Sequence, residues 1–182
     1  MTSLINHSVR RKFTPVECAT TLLFFYIVVK LVSQSIFNWP NVDDFNMIDW
    51  YRRYFVTNEW SLLDIATVKN GPHWQGAQAF IAIYLFKVFG IGFKYLVYTN
   101  VAIIFLTAGL FFSIVRDQFE SERMRLLALI SVLLVLFSAV QTDHILWPYE
   151  FGWFLINLIL VANIVLAEKL KIRSTFFIIS LN

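Results

Sequence analysis

The chain contains a single cysteine, Cys18, among its 182 residues. A disulfide framework and a thiolate metal site are therefore excluded. No GxGxxG or P-loop motif, internal repeat or low-complexity tract is present, so a nucleotide-binding loop is not predicted. His73 and His144 form no HxxxH or HExxH spacing, which argues against a zinc site.

Apolar residues, by contrast, are abundant. They make up 58% of the chain and include 19 Phe, and the mean hydropathy is +0.65. The net charge is +3 and the isoelectric point is near 9.1. The basic residues fall in short clusters between apolar runs, which is the pattern of membrane topology signals. We interpret the chain as an integral membrane protein that binds no nucleic acid.

The apolar runs predict an all-α fold, a polytopic transmembrane helix bundle that forms one domain over residues 1–182. A crossing helix needs about 20 apolar residues. The first run is too long for a signal-peptide core and has no small-residue cleavage site after it, so it is expected to stay uncleaved. The predicted spans cover about 16–37, 95–115, 126–142 and 151–167, with a partial run at 174–182. Because the partial run is too short to cross, we expect the sequence to be incomplete at its C-terminus.

One apolar segment, residues 77–89, is ambiguous because Lys87 interrupts it and Gly90 and Gly92 follow. The positive-inside rule decides between a crossing and a membrane-lying helix. If the segment lies along the membrane, three basic clusters share the inner side, whereas the loop 141–150 carries no Lys or Arg. Those clusters are Arg10, Arg11 and Lys12, then Arg116, Arg123 and Arg125, then Lys169, Lys171 and Arg173. The sequence therefore predicts a cytoplasmic N-terminus and a long outer loop, 38–94, that bears a membrane-lying helix at 77–89.

Within this outer loop, residues 49–55 and 60–66 predict two short helices, and Asn70-Gly71-Pro72 predicts a turn. Tryptophan occurs only in or beside the outer segments, at positions 39, 50, 60, 74, 147 and 153. An interfacial aromatic belt is one interpretation. A belt should line both interfaces, however, so the one-sided distribution favours a surface that binds sugar rings or lipid head groups.

Asp43 and Asp44 are the candidate catalytic residues, just beyond the first span. Two carboxylates beside a membrane are costly to desolvate. They can act as a general base, hold a divalent cation or cap a helix that starts near Phe45. Adjacent residues of a helix face different directions, so at most one is expected to be the direct base. No cofactor is required by this pattern, and a divalent cation stays open.

Further polar residues lie on the same predicted side. Arg52 and Arg53 suit bidentate phosphate recognition, although two arginines that snorkel at the interface would look the same. The other candidate substrate-binding residues are Lys69, His73, Trp74, Gln75, Asp143, His144, Trp147, Tyr149 and Glu150. The default role of Asn100, Asn157 and Asn163, which lie inside predicted spans, is interhelical hydrogen bonding.

The order of these features resembles a known family. A basic N-terminus and one span precede an acidic motif, and short juxtamembrane helices follow. An Asn-Gly-Pro-His-Trp turn at 70–74 then leads into the helix AFIAIYLFKVFG at 79–90 and further spans. The chain looks like the N-terminal module of GT-C-type polytopic glycosyltransferases, which include bacterial enzymes that modify lipid A, O-antigen and other surface glycans.

The resemblance implies transfer of a sugar from a polyprenyl-phosphate donor to a glycan or lipid acceptor at the outer face of the bacterial inner membrane. It places the first-loop catalytic carboxylate at Asp43 or Asp44, and the 141–151 loop beside the cavity. Arg52, Arg53 or Lys69 would then stabilise the departing phosphate. Stacking on sugar faces would fall to Trp39, Trp50 and Trp74. The alternative function is a non-catalytic membrane subunit or carrier component of polysaccharide or lipid assembly, although the position of the acids at a membrane face argues against transport.

Overall fold

The computed structural model describes residues 12–36, 43–70, 73–138 and 141–169, and these are mostly helical. The predicted helical fold class is therefore confirmed. Several sequence predictions fall outside the described residues. They concern the basic residues Arg10, Arg11, Lys171 and Arg173, the end of the first span at Phe37, Trp39, the Gly71-Pro72 turn and the partial run 174–182.

Eight α-helices and one hairpin are found in the described part of the chain. The helices are α1 Pro15–Ser35, α2 Asp44–Tyr51, α3 Leu62–Ala66, α4 Gly76–Phe89, α5 Phe93–Val115, α6 Glu122–Leu136, α7 Thr142–Leu146 and α8 Phe151–Lys169. Helix α2 continues as a π-helical segment, Arg52–Val56. Two 3₁₀ turns, Arg116–Gln118 and Pro148–Glu150, follow α5 and precede α8. Strands β1 Lys69–Asn70 and β2 His73–Trp74 pair antiparallel, with Lys69 opposite Trp74.

Three segments are long and apolar enough to cross a membrane: Pro15–Ser35, Phe93–Val115 and Pro148–Ala167. They correspond to three of the four predicted spans. The fourth prediction, 126–142, differs from the structure because α6 begins at Glu122 and ends at Leu136 after 15 residues. At about 1.5 Å per residue, α6 is shorter than the hydrocarbon core of about 30 Å.

Asn100 of α5 binds the end of α7. Its Nδ2 donates hydrogen bonds to the carbonyl oxygens of Ile145 at 2.9 Å and of Trp147 at 3.0 Å. The Ile145 side chain is buried in a cluster with Val28 of α1 and Val97 of α5, and Leu136 at the end of α6 packs against the same cluster. These contacts hold α7 against α1, α5 and the end of α6.

One end of the bundle joins α1, α5 and α6 through charged groups, and we call it the basic end. Thr14 and Glu17 form a capping box at the start of α1. The Glu17 Oε1 accepts a hydrogen bond from Arg125 Nε at 3.1 Å, and Glu17 is 1% exposed. Arg116, which follows α5, places its guanidinium 4.6 Å from the centre of the Phe13 ring.

The opposite end holds α2, α3, the hairpin, α4 and α7, and we call it the hairpin end. Near the start of α4, the Gln78 side chain donates a hydrogen bond to the carbonyl oxygen of Tyr149, which lies two residues before α8. Phe86, near the end of α4, contacts the ring of Phe93, the first residue of α5, with centroids 5.7 Å apart. The start of α4 therefore lies against the start of α8, and the end of α4 lies against the start of α5. Gly90, whose φ of 78° favours glycine, ends the helix.

Apolar packing fixes these short helices at the hairpin end. Met47 and Trp50 of α2, Ile65 of α3 and Phe86 of α4 are buried in one cluster, which also contains Tyr149. Complete burial of such a side chain contributes about 1.5–3 kcal/mol. The loop that precedes α4 is thus a packed layer, and it positions the polar residues described next.

Candidate functional site

A groove of about 420 Å3 runs between the start of α4 and the first turns of α8. Its volume falls in the range of about 300 to 1,000 Å3 that is usual for ligand sites. Four of the predicted substrate-binding residues line it together: His73, Trp74, Gln75 and Tyr149. The hairpin brings His73 and Trp74 to its mouth, where both are exposed. We call this site the α4–α8 groove.

The lining of the α4–α8 groove changes from polar to apolar along α8. The polar and aromatic lining residues, together with Gln78 and Gly152, lie near the start of α8. The part of the groove further along α8 is lined by Leu155, Ile156 and Ile159. The apolar part of the groove follows α8, which is one of the helices long and apolar enough to cross a membrane. The groove can therefore take a molecule with a polar head and an apolar chain.

A second cavity, of about 310 Å3, lies on the other side of Trp153, and we call it the Glu150 cavity. It is lined by Gln141, His144, Glu150, Trp153, Phe154 and Asn157. The Nδ1 atom of His144 lies 3.7 Å from Oε1 of Glu150. His144 and Glu150, both predicted as substrate-binding residues, thus face a different space from His73 and Tyr149.

Trp153 separates the two cavities and lines both. Its side chain is 54% exposed. The ring of His73 meets it edge-on, with centroids 5.8 Å apart. An exposed tryptophan between two polar cavities offers an aromatic face to a ligand on either side.

Amide and hydroxyl groups connect the walls of the α4–α8 groove. The Tyr149 hydroxyl donates to Gln75 Oε1 at 2.6 Å, and Gln78 Nε2 donates to the Tyr149 carbonyl oxygen at 2.6 Å. Gly152 leaves room for this approach, because a Cβ atom there would meet the amide end of the Gln78 side chain. A side chain at position 152 would therefore force the Gln78 amide to move away from Tyr149.

Lys69 places a positive charge next to the mouth of the groove, because it contacts Trp74, one of the lining residues. Its Nζ lies 4.0 Å from the centre of the Trp74 ring. A lysine on an aromatic face keeps its charge available to an anion on the other side. This position fits the predicted role of Lys69 in phosphate binding.

Arg52 and Arg53 instead bind a carboxylate of their own helix. Asp49 lies 2.9 Å from Arg52 Nη2 and 2.6 Å from Arg53 Nε. Burial raises the pKa of Asp49, but the hydrogen bonds and charges of the two arginines outweigh it and hold the pKa below the ordinary value of 3.8. Arg53 also lies over the Trp60 ring at 5.5 Å. The predicted phosphate-binding pair is thus part of a surface ion-pair network, and neither arginine lines the two cavities.

The predicted catalytic carboxylates lie at the start of α2. Asp43 occupies the N-cap position, but its side chain makes no capping hydrogen bond. Asp44 is the first helical residue and is 0% exposed, whereas Asp43 is half-buried. Neither lines the α4–α8 groove or the Glu150 cavity. Of the two, only Asp43 has a surface that a substrate can reach in this structure.

Three other predictions about aromatic and acidic residues are refined by the fold. Trp50, expected to stack on a sugar, is 5% exposed and packs near Tyr149, with centroids 6.3 Å apart. Apolar packing of α2 against α4 thus makes Trp50 a core residue. Trp147 is half-buried, and its Nε1 has no hydrogen-bond partner among the described residues. Asp143 is exposed on α7 and lines neither cavity.

Sequence reasoning did not select several of the lining residues as substrate contacts, among them Gln78, Gln141, Gly152, Trp153 and Asn157. A signal existed for Trp153, because it belongs to the one-sided tryptophans. Asn157 was assigned to interhelical bonding, but its exposed side chain faces the Glu150 cavity. Among the residues that the structure describes, no group of three or more His, Cys, Asp or Glu could hold a metal ion.

No protein-family model matches the chain, and neither a curated protein nor a solved structure matches it.

Proposed function

We propose that the chain is a multi-pass membrane protein that binds a polyprenyl-phosphate-linked sugar in the α4–α8 groove and transfers the sugar to a glycan or lipid acceptor. The observation that carries the proposal is the change of the groove from polar and aromatic at the hairpin to apolar along α8. The apolar part fits the polyprenyl chain, and the aromatic mouth fits a sugar ring.

The charges at the mouth support the position of the phosphate. Lys69 lies on Trp74, and His73 lines the groove beside it. Arg52 and Arg53 are already paired with Asp49, so either arginine could bind the phosphate only if its ion pair with Asp49 broke. In this proposal Lys69, with hydrogen bonds from His73, stabilises the phosphate as its negative charge develops.

The transfer itself is a substitution at the anomeric carbon. The acceptor oxygen forms the new bond, the bond to the phosphate oxygen breaks, and its electron pair leaves with the phosphate. A carboxylate takes the proton of the acceptor hydroxyl. The family resemblance assigns this role to Asp43 or Asp44; Asp43 is half-buried, Asp44 is buried, and neither lines the α4–α8 groove.

The proposal includes an orientation in the membrane. The hairpin end, with both cavities, faces the outside of a bacterial inner membrane, and the basic end with the N-terminus faces the cytoplasm. Arg116 and Arg125 lie at the basic end together with the start of α1. The positive-inside rule supports this direction.

Binding of undecaprenyl phosphate, compared with undecaprenol, tests the proposed function. The full chain in detergent is studied by native mass spectrometry, which resolves bound lipids. We expect retention of the phosphate and weaker retention of the alcohol. The Ile156→Trp substitution should fill the apolar groove and abolish retention. The matched control is Ile164→Trp, because Ile164 is also an exposed isoleucine of α8 but does not line the groove.

Lys69→Ala should remove most of the preference for the phosphate over the alcohol, whereas Arg52→Ala should leave it unchanged. Equal retention by the wild type, Ile156→Trp and Ile164→Trp would contradict the groove assignment. Retention of undecaprenyl phosphate together with no sugar transfer from any polyprenyl-phosphate sugar would favour the alternative function, a carrier component or non-catalytic subunit.

A further inference from the structure

We propose that the Glu150 cavity binds the acceptor, a hydroxyl-bearing sugar, and that Glu150 receives the proton of the attacking hydroxyl. This inference rests on the proposed function, since it places the second substrate on the other side of Trp153. It differs from the family resemblance, which assigns the base to Asp43 or Asp44.

The first observation is a polar face on α8 and the turn before it. Glu150, Trp153 and Asn157 are spaced i, i+3 and i+7, which places them on one side of a helix. All three line the Glu150 cavity. Ionisable residues on or beside a membrane helix are costly, and they usually face a water-filled cavity or a functional site, as Glu150 would here. The polar face therefore indicates a polar occupant.

The second observation is unused hydrogen-bonding capacity. Among the described residues, no hydrogen bond to the protein is found for the side chains of Gln141, Glu150 and Asn157, and Nδ1 of His144 lies 3.7 Å from Oε1 of Glu150. The Glu150 side chain is only 14% exposed. Buried polar groups normally have hydrogen-bond partners, and Gln141 and Glu150 are half-buried, whereas Asn157 is exposed. The hydroxyls of a sugar can donate to the carboxylate and accept from the two amides, so they satisfy all three residues.

The third observation is the shared aromatic wall. Trp153 lines the α4–α8 groove and the Glu150 cavity at once. A donor sugar at the mouth of the groove and an acceptor sugar in the cavity would therefore both contact the same ring. Because Trp153 is 54% exposed, the two sugars can meet past the exposed edge of its ring and not through it, as bond formation requires. The Glu150 cavity of about 310 Å3 is of ordinary ligand-site size.

The chemistry of the step follows from this placement. The acceptor hydroxyl loses its proton to the Glu150 carboxylate while its oxygen bonds to the anomeric carbon of the donor. The bond between that carbon and the phosphate oxygen breaks, and the phosphate leaves with the electron pair. Glu150 then releases the proton to solvent, so no oxidant, reductant or further reactant is needed.

Saturation-transfer NMR on the full chain in detergent tests the cavity directly. The probes are methyl glycosides of common hexoses, N-acetylhexosamines and pentoses at millimolar concentration. We expect at least one glycoside to receive saturation from the wild type and to lose it in Asn157→Leu and in Gln141→Leu. Asn163→Leu is the matched control, because Asn163 is another asparagine of α8 that does not line the cavity.

Undecaprenyl phosphate binding is measured on the same variants and should be unchanged in Asn157→Leu. If no glycoside receives saturation, or if the signal persists in both Leu variants, the acceptor assignment is wrong. Retained undecaprenyl phosphate binding would then leave the proposed function standing. If the wild type itself does not bind undecaprenyl phosphate, the proposed function is overturned instead.

Discussion

Gln78 and Tyr149 join the start of α4 to the start of α8, because the Gln78 amide donates a 2.6 Å hydrogen bond to the Tyr149 carbonyl oxygen. The residues are far apart in the sequence, and the bond is buried. Both residues line the α4–α8 groove, so this contact joins its two walls. Gly152 is the residue against which Gln78 rests.

Gly152→Ala should displace Gln78 and destabilise the hairpin end. The added Cβ would meet the amide end of Gln78, which can move only by giving up its buried hydrogen bond to Tyr149. A buried group left without its hydrogen-bond partner costs about 1–3 kcal/mol. Thermal unfolding in detergent, followed by circular dichroism, measures the effect.

Gly109→Ala is the matched control for this change, because nothing lies within 4 Å of a Cβ at position 109 in α5. It should be neutral or stabilise by up to about 1 kcal/mol, the helix-propensity difference between the residues. Equal melting temperatures for the two alanine variants would show that the Gln78 contact does not constrain the fold.

Glu17 and Arg125 should contribute strongly to stability at the basic end. Their side chains are 1% and 10% exposed, so Glu17→Gln leaves the Arg125 charge buried without its partner. Such a loss costs about 3–5 kcal/mol. The variant keeps an amide that can still serve the capping box of Thr14. Unfolding in detergent with increasing dodecyl sulfate is the measurement.

The double variant Glu17→Gln with Arg125→Gln should be more stable than Glu17→Gln alone, because it removes the uncompensated charge. Arg52→Gln is the exposed comparison, since Arg52 and Asp49 are 47% and 41% exposed. Its cost should be about 0–1 kcal/mol. A double variant no more stable than the single one would mean that charge pairing is not what joins α1 to α6.

The Asp49 carboxyl should titrate below its ordinary pKa of 3.8, owing to the two arginines beside it. A lowered pKa in the folded state means that the stabilisation is present above the unfolded-state pKa. It is lost as the pH falls through the folded-state pKa. Carbon-13 NMR of labelled aspartate measures the midpoint. The midpoint should rise in Arg52→Gln with Arg53→Gln, and a wild-type midpoint at or above 3.8 would refute the network.

The sequence predicted the helices best where hydrophobic runs or spacing were decisive. Residues 77–89 predicted a helix that is observed as Gly76–Phe89, and residues 16–37 one that is observed as Pro15–Ser35. Over the predicted span 126–142, α6 ends at Leu136 and α7 begins at Thr142, and Asn100 binds the carbonyl groups of Ile145 and Trp147 that follow. A contact between residues so far apart in sequence leaves no signal in the local hydrophobic pattern.

The sequence predicted the site only as a set of residues on the outer side of a membrane, without their positions relative to one another. The pairing of Asp49 with Arg52 and Arg53 follows from helical spacings of three and four, and could have been read from the sequence. The sequence could not show that His73 and Tyr149 line one cavity while His144 and Glu150 line another. This separation depends on where the Trp153 side chain lies in the folded protein. Likewise, the burial of Asp44 and Trp50 depends on how α2 packs against α4.

Cysteine labelling in intact cells should show that the hairpin end faces outwards. In a Cys18→Ser background, Glu59→Cys should react with a membrane-impermeant maleimide, and Ser121→Cys should not. Both positions are exposed, so accessibility within the protein does not differ greatly. Both should react after the cells are lysed. Labelling of position 121 alone in intact cells would reverse the proposed orientation.

Transfer assays on three carboxylate variants should identify the base. The variants are Asp43→Asn, Asp44→Asn and Glu150→Gln, each of which keeps the shape of the side chain but cannot accept a proton. A general base contributes about 10²–10⁴-fold to the rate. If Glu150 receives the proton, Glu150→Gln should lose transfer by that factor while glycoside and undecaprenyl phosphate binding persist. Asp43→Asn should then retain transfer, whereas Asp44→Asn should lower the stability of the fold, because Asp44 is completely buried.

Loss of transfer in Asp43→Asn alone, with a normal melting temperature, would assign the base to Asp43 and leave Glu150 with a purely binding role. The difference between the two results lies in the rate and not in the affinity, so binding and transfer must be measured on the same preparations.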